Sequence, residues 1–262
     1  MRLKLFSIII SAILLIGCAG NQPNQNGSYI KGKKAFQNEN WRQAKDQLKL
    51  FLLNNPGSNK SDSAQFLLAE SYFNNEKYLL AISEYKQLKN RYSYSSLVEK
   101  AEYKIAQSYV KLSPIYQRDQ KYTRKALQHL QSFIDKYPDS KYVDETEEKI
   151  KKMRTKLAKK LYSSAVQYKK MGRWQAASIY FEKTINNYYD TPVAKKAQVG
   201  KALCLIKLRQ FEKYKEVLEK IKSQYESDDS NYLKKKLAYL DSTYKEEKEE
   251  MKEEKEERKG RF

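Results

Sequence analysis

Ala64-Gln-Phe-Leu-Leu-Ala69-Glu-Ser-Tyr72-Phe73, continued by Tyr78-Leu-Leu-Ala81 and Tyr85, is the stretch on which the fold turns. Ala69 stands twelve residues before Ala81, and Tyr72 three after Ala69. Tyr78 precedes Ala81 by three, and Tyr85 follows it by four. The same frame returns twice. Gly32, Ala35, Trp41, Ala44 and Leu48 occupy it upstream; Ala165, Tyr168, Trp174, Ala177 and Phe181 occupy it downstream. Small residues at a fixed offset from larger apolar ones suit two antiparallel helices, because backbones approach closely only where side chains are small. Such a pair cannot bury its apolar face alone, so the units must stack.

The unit resembles the tetratricopeptide repeat, a helix–turn–helix of about 34 residues. A third unit fits if it carries an insertion. Ala106 and Tyr109 match its first helix, Ala126, Leu130 and Phe133 its second, and Pro138 closes it as Pro56 closes the first unit. Twenty residues instead of twelve separate the two alanines, so eight extra residues fall within 111–123, where Pro114 argues for a loop. A weaker fifth unit runs through Ala202, Leu205, Tyr214, Leu218 and Ile221, with Tyr214 in place of the alanine. Helices are predicted from about Tyr29 to Leu240, broken near 54–59, 92–96, 136–140, 186–192 and 226–229. The expected fold is all-α: a tetratricopeptide-repeat α-solenoid of about five helix pairs over residues 28–240. An unrelated helical bundle is the competing reading, and the recurrence of phase argues against it.

The chain opens Met1-Arg-Leu-Lys, then runs apolar from Leu5 to Ile16. This is the pattern of a secretory signal, and the run is too short to span a bilayer. Leu15-Ile16-Gly17-Cys18 resembles the bacterial lipobox. The resemblance implies removal of residues 1–17, lipidation of Cys18 and, with Ala19 next to it, sorting to the outer membrane of a diderm envelope. Residues 18–27 are polar and uncharged enough for a flexible tether. Cys204 is then the one remaining thiol, and its run Ala202-Leu-Cys-Leu-Ile206 points to a buried structural cysteine.

Composition narrows the function classes. The net charge is +20, from 52 Lys and Arg against 32 Asp and Glu. The last eighteen residues hold seven cations and eight Glu, so the conspicuous tail is almost neutral and the excess belongs to the body. On a lipid-anchored periplasmic chain, that excess reads as complementary to anionic headgroups or acidic proteins, with no nucleic acid as partner. The lone His129 excludes sites that need two histidines. No phosphate loop, nucleophile elbow, paired-cysteine motif or H-E-x-x-H occurs, so no catalytic residue, metal or cofactor is assigned. Residues 241–262 read as a solvated, fraying helix or a disordered tail, with Glu254–Arg258 and Glu257–Arg261 as i,i+4 pairs.

Several stretches carry a closer likeness: Asn40-Trp-Arg-Gln-Ala44, Ala64 to Phe73, Arg118-Asp-Gln120 with Thr123, Tyr137-Pro-Asp-Ser140, Arg154-Thr-Lys-Leu-Ala158, and Tyr168-Lys-Lys-Met-Gly-Arg-Trp174. Together they resemble the BamD (YfiO/ComL-like) family of outer-membrane assembly lipoproteins, and the insertion before Arg118 is the most specific of them. Tyr92-Ser93 and Tyr188-Tyr189 depart from the family's Tyr-Pro. The resemblance implies a non-catalytic scaffold of the β-barrel assembly machinery at the periplasmic face of the outer membrane. Its implied partners are the POTRA domains of a BamA-like barrel protein, gripped by the later repeats, other assembly lipoproteins, and unfolded barrel precursors, received by the early repeats. A periplasmic repeat lipoprotein that organises cell-wall synthesis or division is the alternative.

In repeat scaffolds the first helix of each unit lines a groove. With Gly32, Ala69 and Ala106 as equivalent positions, the lining residues become Tyr29, Lys33 and Phe36; Phe66, Glu70 and Phe73; and Tyr103, Gln107 and Val110. Aromatic rings with a cation suit an aromatic-ended peptide and its carboxylate. The same rings suit packing between neighbouring repeats, and both readings stand at this stage. Trp174, in the phase of Trp41 and Tyr78, reads as packing at a turn, and His129 as a surface residue. Glu145, Glu147 and Glu148 before Lys149, Lys151 and Lys152 read as charge bias along one helix.

Overall fold

The computed structural model describes residues 27–225 and 231–259. Eleven helices are found there and no strand: α1 Gly27–Gln37, α2 Trp41–Asn54, α3 Ser61–Asn74, α4 Tyr78–Arg91, α5 Val98–Leu112, α6 Lys121–Lys136, α7 Val143–Lys170, α8 Trp174–Asn187, α9 Pro192–Lys207, α10 Phe211–Gln224 and α11 Asn231–Lys259. Read two by two, α1 to α10 are five tetratricopeptide-type pairs, and the fold is an all-α tetratricopeptide-repeat solenoid. Cys18 with its leader, most of the tether and the 226–229 break lie outside the described residues.

The turn inside a pair is built the same way in four of the five. Asn40 N–H donates to Ala35 C=O at 2.9 Å, Lys77 to Tyr72 at 2.9 Å, Arg173 to Tyr168 at 3.0 Å and Gln210 to Leu205 at 2.9 Å. The residue before each donor is left-handed: Glu39 (φ 57°), Glu76 (57°), Gly172 (69°) and Arg209 (55°). This geometry satisfies the last carbonyls of the first helix and reverses the chain at once. In the third pair the insertion replaces it.

The described residues fall into two compact units, one ending at Ser108 and the other beginning at Tyr109. In the first, α1 packs on α2, α2 on α3 and α3 on α4. Ala44, Ala64, Ala69 and Ala81 are completely buried beside Leu48, Phe51, Tyr85 and Leu88. Gly32 takes the position that alanine holds elsewhere, because a Cβ there would come to 2.8 Å from Leu48 Cγ. Trp41 and Tyr78 each meet, edge-on, the last aromatic of the preceding helix: Phe36 at 5.3 Å and Phe73 at 5.4 Å between centroids.

In the second unit, α7 packs on α6, α8 and α9, and α9 packs on α8, α10 and α11. Ala165, Ala177, Phe181, Ala197 and Cys204 form one core, with Trp174 packed against it as a turn residue. Val199, Leu205, Ile206, Tyr214, Ile221, Leu233 and Leu240 form another. Burial pushes the Cys204 thiol up to about 11, which leaves it protonated and inert. One feature differs from the sequence reading. His129 is half-buried, its ring stacked on Tyr109 at 4.8 Å, so it is not a plain surface residue. Beyond Leu240, α11 continues to Lys259, mostly exposed and touching the end of α9 at Glu247 and Glu254. Thr243 and Glu247 are buried, and Glu254 is hydrogen-bonded to Arg209 in addition to feeling the charge of Arg258 one turn on. Arg261 lies outside the described residues.

The third-to-fourth repeat junction carries more than the eight-residue insertion. The frame alanines Ala106 and Ala165 are 59 residues apart, where Ala165 and Ala202 are 37 apart. The loop 113–120 takes part of the excess, and the remainder is helix: α7 has 28 residues where α8 has 14.

Candidate functional site

No helix among the described residues is long and apolar enough to cross a membrane, and no group of three metal-ligating side chains occurs among them. On α1, Tyr29 is half-buried with its ring 5.4 Å from Phe51 and the Lys60 ammonium 5.6 Å above it. Lys33 is exposed, and Phe36 is half-covered by Trp41.

On α3 the three residues go different ways. Phe66 is buried, 5.8 Å from Tyr85, with the Lys100 ammonium 5.0 Å over its ring. Glu70 is 9% exposed and doubly engaged: it accepts from the Tyr85 hydroxyl and from Lys104 Nζ at 2.8 Å. Burial, followed by the Glu70 carboxylate beside it, holds the Tyr85 phenol far above its ordinary range. Phe73 remains half-exposed under the Lys104 ammonium at 4.6 Å. On α5, Tyr103 is buried and its hydroxyl accepts from the Gln107 amide at 2.6 Å. Phe66, Glu70 and Tyr103 thus pack between helices, while Lys33, Phe36, Phe73 and Gln107 reach solvent at least in part. Val110 belongs to the second unit and is half-buried.

Lys100 and Lys104 are the residues sequence reasoning passed over. Their i,i+4 spacing on α5 placed both on one face, and that face meets the α3 aromatics. Similar caps recur on α2, where Lys45 and Lys49 lie 5.1 and 5.4 Å over the Tyr72 ring. Each of these rings has one face covered by an ammonium group in a cation–π contact.

In the second unit, the inserted loop is tied by hydrogen bonds from within and from α7. Gln120, 2% exposed, donates to the carbonyls of Ile115 and Arg118, each at 2.9 Å, and accepts from Thr123 Oγ1 at 2.7 Å. Asp119 accepts from Lys121 N–H at 2.9 Å at the start of α6. Two lysines of the lengthened α7 hold the loop from outside: Lys156 donates to Ser113 Oγ at 2.8 Å and Lys160 to Gln117 C=O at 2.8 Å. Two residues before Lys156, Arg154 grips the α8–α9 corner, donating to Asp190 at 2.7 and 2.6 Å and to Asn187 C=O at 3.1 Å. Arg118, Gln120 and Thr123 therefore build the loop, and its outward surface is Ile115, Gln117, Arg118 and Asp119.

Comparison with known proteins gives one family. The YfiO family, described as outer membrane lipoprotein, matches residues 21–203, well over half of the chain. No curated protein matches it. Among solved structures, it is similar to the P58(IPK) TPR domain at 20% identity and a TM-score of 0.43, with 85% of this chain and 57% of that one covered. It is also similar to the TPR2AB domain of yeast Sti1 in its pHSP90 complex, at 12% identity and 0.38, with 86% and 98% covered. MamA from Desulfovibrio magneticus RS-1 follows at 11% and 0.36, with 79% and 98% covered. The chain thus spans a little over half the length of the first of these.

Proposed function

The chain belongs to the YfiO family of outer membrane lipoproteins, and we propose from that premise that it is a non-catalytic scaffold of the β-barrel assembly machinery. Lipid on Cys18 tethers it to the inner leaflet of the outer membrane, on the periplasmic side. Several acyl chains would make that attachment stable, where one alone holds a protein only marginally. The early repeats receive unfolded barrel precursors, and the later repeats bind the POTRA region of a BamA-like barrel protein alongside other assembly lipoproteins.

The observation that carries this reading is the extent of the family match. Residues 21–203 take in the inserted loop with Arg118, Asp119 and Gln120, the feature that generic repeats lack. On the early repeats, the half-exposed Phe36 and Phe73 and the exposed Lys33 support precursor capture, since an aromatic-ended segment needs apolar contact and a cation for its carboxylate. Affinity purification of the full chain from native envelope tests the proposal. Recovery of a POTRA-bearing barrel protein is the expected result. Recovery of peptidoglycan enzymes with no barrel-assembly protein would replace the scaffold role with a cell-wall one. Cys18→Ala is expected to move the chain from the membrane to the soluble periplasmic fraction, which separates the anchor from the partner.

A further inference from the structure

We propose that the face of the second unit walled by α7, α9 and α11 is a groove for an extended acidic peptide segment, with carboxylates spaced along it and apolar side chains between them. Three depressions of about 750, 370 and 210 Å³ lie on this face. Tyr116 and Lys159 line both the first and the second, and Tyr162 and Lys196 line both the second and the third. The three adjoin one another in a row, here called the trough, from the inserted loop to Lys236 and Tyr239 on α11.

The trough is cationic for a reason visible in the chain. From Lys149 to Arg173 there are ten Lys and Arg and no Asp or Glu. Lys159, Lys169, Lys196 and Lys236 all line the trough. Among the described residues, none of these four is paired with a carboxylate. The acid on the rim, Asp190, is already held by Arg154. Between the cations lie apolar walls: Ile115, 62% exposed, then Tyr116, Tyr162 and Val166, and finally Tyr239, 51% exposed. Burial lowers the Lys156 ammonium's affinity for its proton, as expected where the floor is partly dehydrated and charge contacts are less screened.

Spacing selects the occupant. Lys159 and Lys169 are ten residues apart on one helix, about 15 Å along its axis. A compact phosphate headgroup cannot meet both, whereas an extended chain with carboxylates five residues apart spans about 16 Å. A single-stranded nucleic acid also carries spaced charge, but it needs bare rings for its bases. Here the Tyr232 ring already lies under the ammonium groups of Lys196 and Lys236, at 6.0 and 5.9 Å, and the Tyr162 ring packs on Phe181 at 5.6 Å, which leaves Tyr116 and Tyr239 and makes the oligonucleotide an outcome of the test below. The α11 wall lies beyond residue 203, outside the span that the family model matches. The groove stands independently of the scaffold role proposed above.

Fluorescence anisotropy with the full chain tests it. The probe is a fluorescein-labelled peptide of twelve residues, with Glu at its fourth and ninth positions and Leu and Ser elsewhere. Binding is expected to weaken at least tenfold in K159Q/K169Q and in K196Q/K236Q, which change exposed or half-exposed side chains and leave the helical circular dichroism intact. K213Q/K220Q on α10 removes the same charge elsewhere and should change binding less than twofold. A peptide with Gln for both Glu should bind at least tenfold more weakly. Absent binding, an equal loss in K213Q/K220Q, or undiminished binding of the Gln peptide would overturn the proposal. So would displacement of the probe by a dT12 oligonucleotide or by phosphatidylglycerol vesicles at lower concentration than by unlabelled peptide. None of these outcomes bears on recovery of a barrel protein from the envelope.

Discussion

Arg209 and Glu254, forty-five residues apart in the chain, are joined by two parallel hydrogen bonds, Nη1 to Oε2 at 2.7 Å and Nη2 to Oε1 at 2.8 Å. Two turns earlier on α11, Glu247 accepts from Lys207 at 2.6 Å and lies 3.6 Å from Arg209 Nε. The end of α9 therefore holds the Glu-rich helix at two points. Arg209→Ala is expected to remove amide-exchange protection from about Glu247 onward while Leu233 and Leu240 keep theirs. Hydrogen exchange with mass spectrometry reads this directly. Salt near 1 M should act in the same direction, because exposed pairs are screened within about 3 Å at that strength. The Arg209 bond holds the Glu254 carboxyl below its ordinary range, so the clamp is present at neutral pH and lost as pH falls through that lowered value. Unchanged protection in Arg209→Ala would mean that the helix stands without the clamp.

Nothing local in the sequence announces this clamp. Beyond Lys245 the tail has one apolar residue before Lys259, so no seam marks a packed face, and an ion pair across forty-five residues leaves no periodicity. Gly32, Ala69, Ala165 and Ala202 were legible because every repeat needs a small residue at the same crossing. The inserted loop was legible because it displaced Ala126 from that frame. The extra turns of α7 were not, since Lys-rich sequence from 149 to 160 continues a helix without changing its pattern. Groove position could be counted from Gly32 and Ala69, but not burial: whether Phe66 or Phe73 reaches solvent depends on Lys100 and Lys104 of the next repeat.

Gly32 illustrates the crossing rule in reverse. Alanine normally stabilises an exposed helix interior by about 0.5–1 kcal/mol over glycine. At residue 32 its Cβ would press on Leu48, whose side chain is completely buried and has no room to yield. Gly32→Ala is expected to lower stability by about 1–3 kcal/mol, the usual range for overpacking. Urea unfolding measures it, and Leu48→Val in the same chain should recover part of the loss. A stabilised Gly32→Ala would refute the close approach of α1 to α2.

The left-handed turns make opposite predictions at equivalent positions. Glu39 and Glu76 adopt φ 57° with side chains exposed to solvent, a conformation that costs about 1–2 kcal/mol for a residue with a Cβ. Glu39→Gly and Glu76→Gly should each raise stability, by up to about 1 kcal/mol after the added freedom of the unfolded chain is subtracted. Gly172→Ala, at φ 69° with open space around it, should lower stability by about 1 kcal/mol through strain alone. Thermal unfolding of the three variants distinguishes backbone strain from packing.

Glu70 in the first unit is buried with two partners, the Tyr85 hydroxyl and the Lys104 ammonium. Lys104→Met would leave a buried carboxylate with the Tyr85 hydroxyl as its one remaining partner, at a cost of about 1.5–3 kcal/mol. Glu70→Gln combined with Lys104→Met removes both charges and should restore most of that loss. The double-mutant cycle measures the coupling. Additive losses would show that Glu70 is solvated in solution and free to meet a ligand, which would return it to the binding face.

Arg154 and Asp190 give the second unit a defined response to acid. The Arg154 hydrogen bonds hold the Asp190 carboxyl below its ordinary value of 3.8, and Asp190 in turn raises the guanidinium. A carboxyl with a lowered folded value contributes stability that is fully present above its unfolded value and lost as pH falls through the folded one. The pair's contribution is therefore expected to be constant from pH 7 to about 5 and to fade below about 4. Because the Asp190 side chain is 36% exposed, solvent screening limits the effect to under about 1 kcal/mol. Arg154→Gln should thus be less stable than the parent at pH 7, and the gap should narrow at pH 3 in urea titrations of both chains. The Asn187 carbonyl bond and the Tyr188 ring, 5.5 Å from the guanidinium, do not titrate in this range and set what remains of the gap. A gap of equal size at both pH values would assign the role of Arg154 to those contacts and remove Asp190 from the corner's stability.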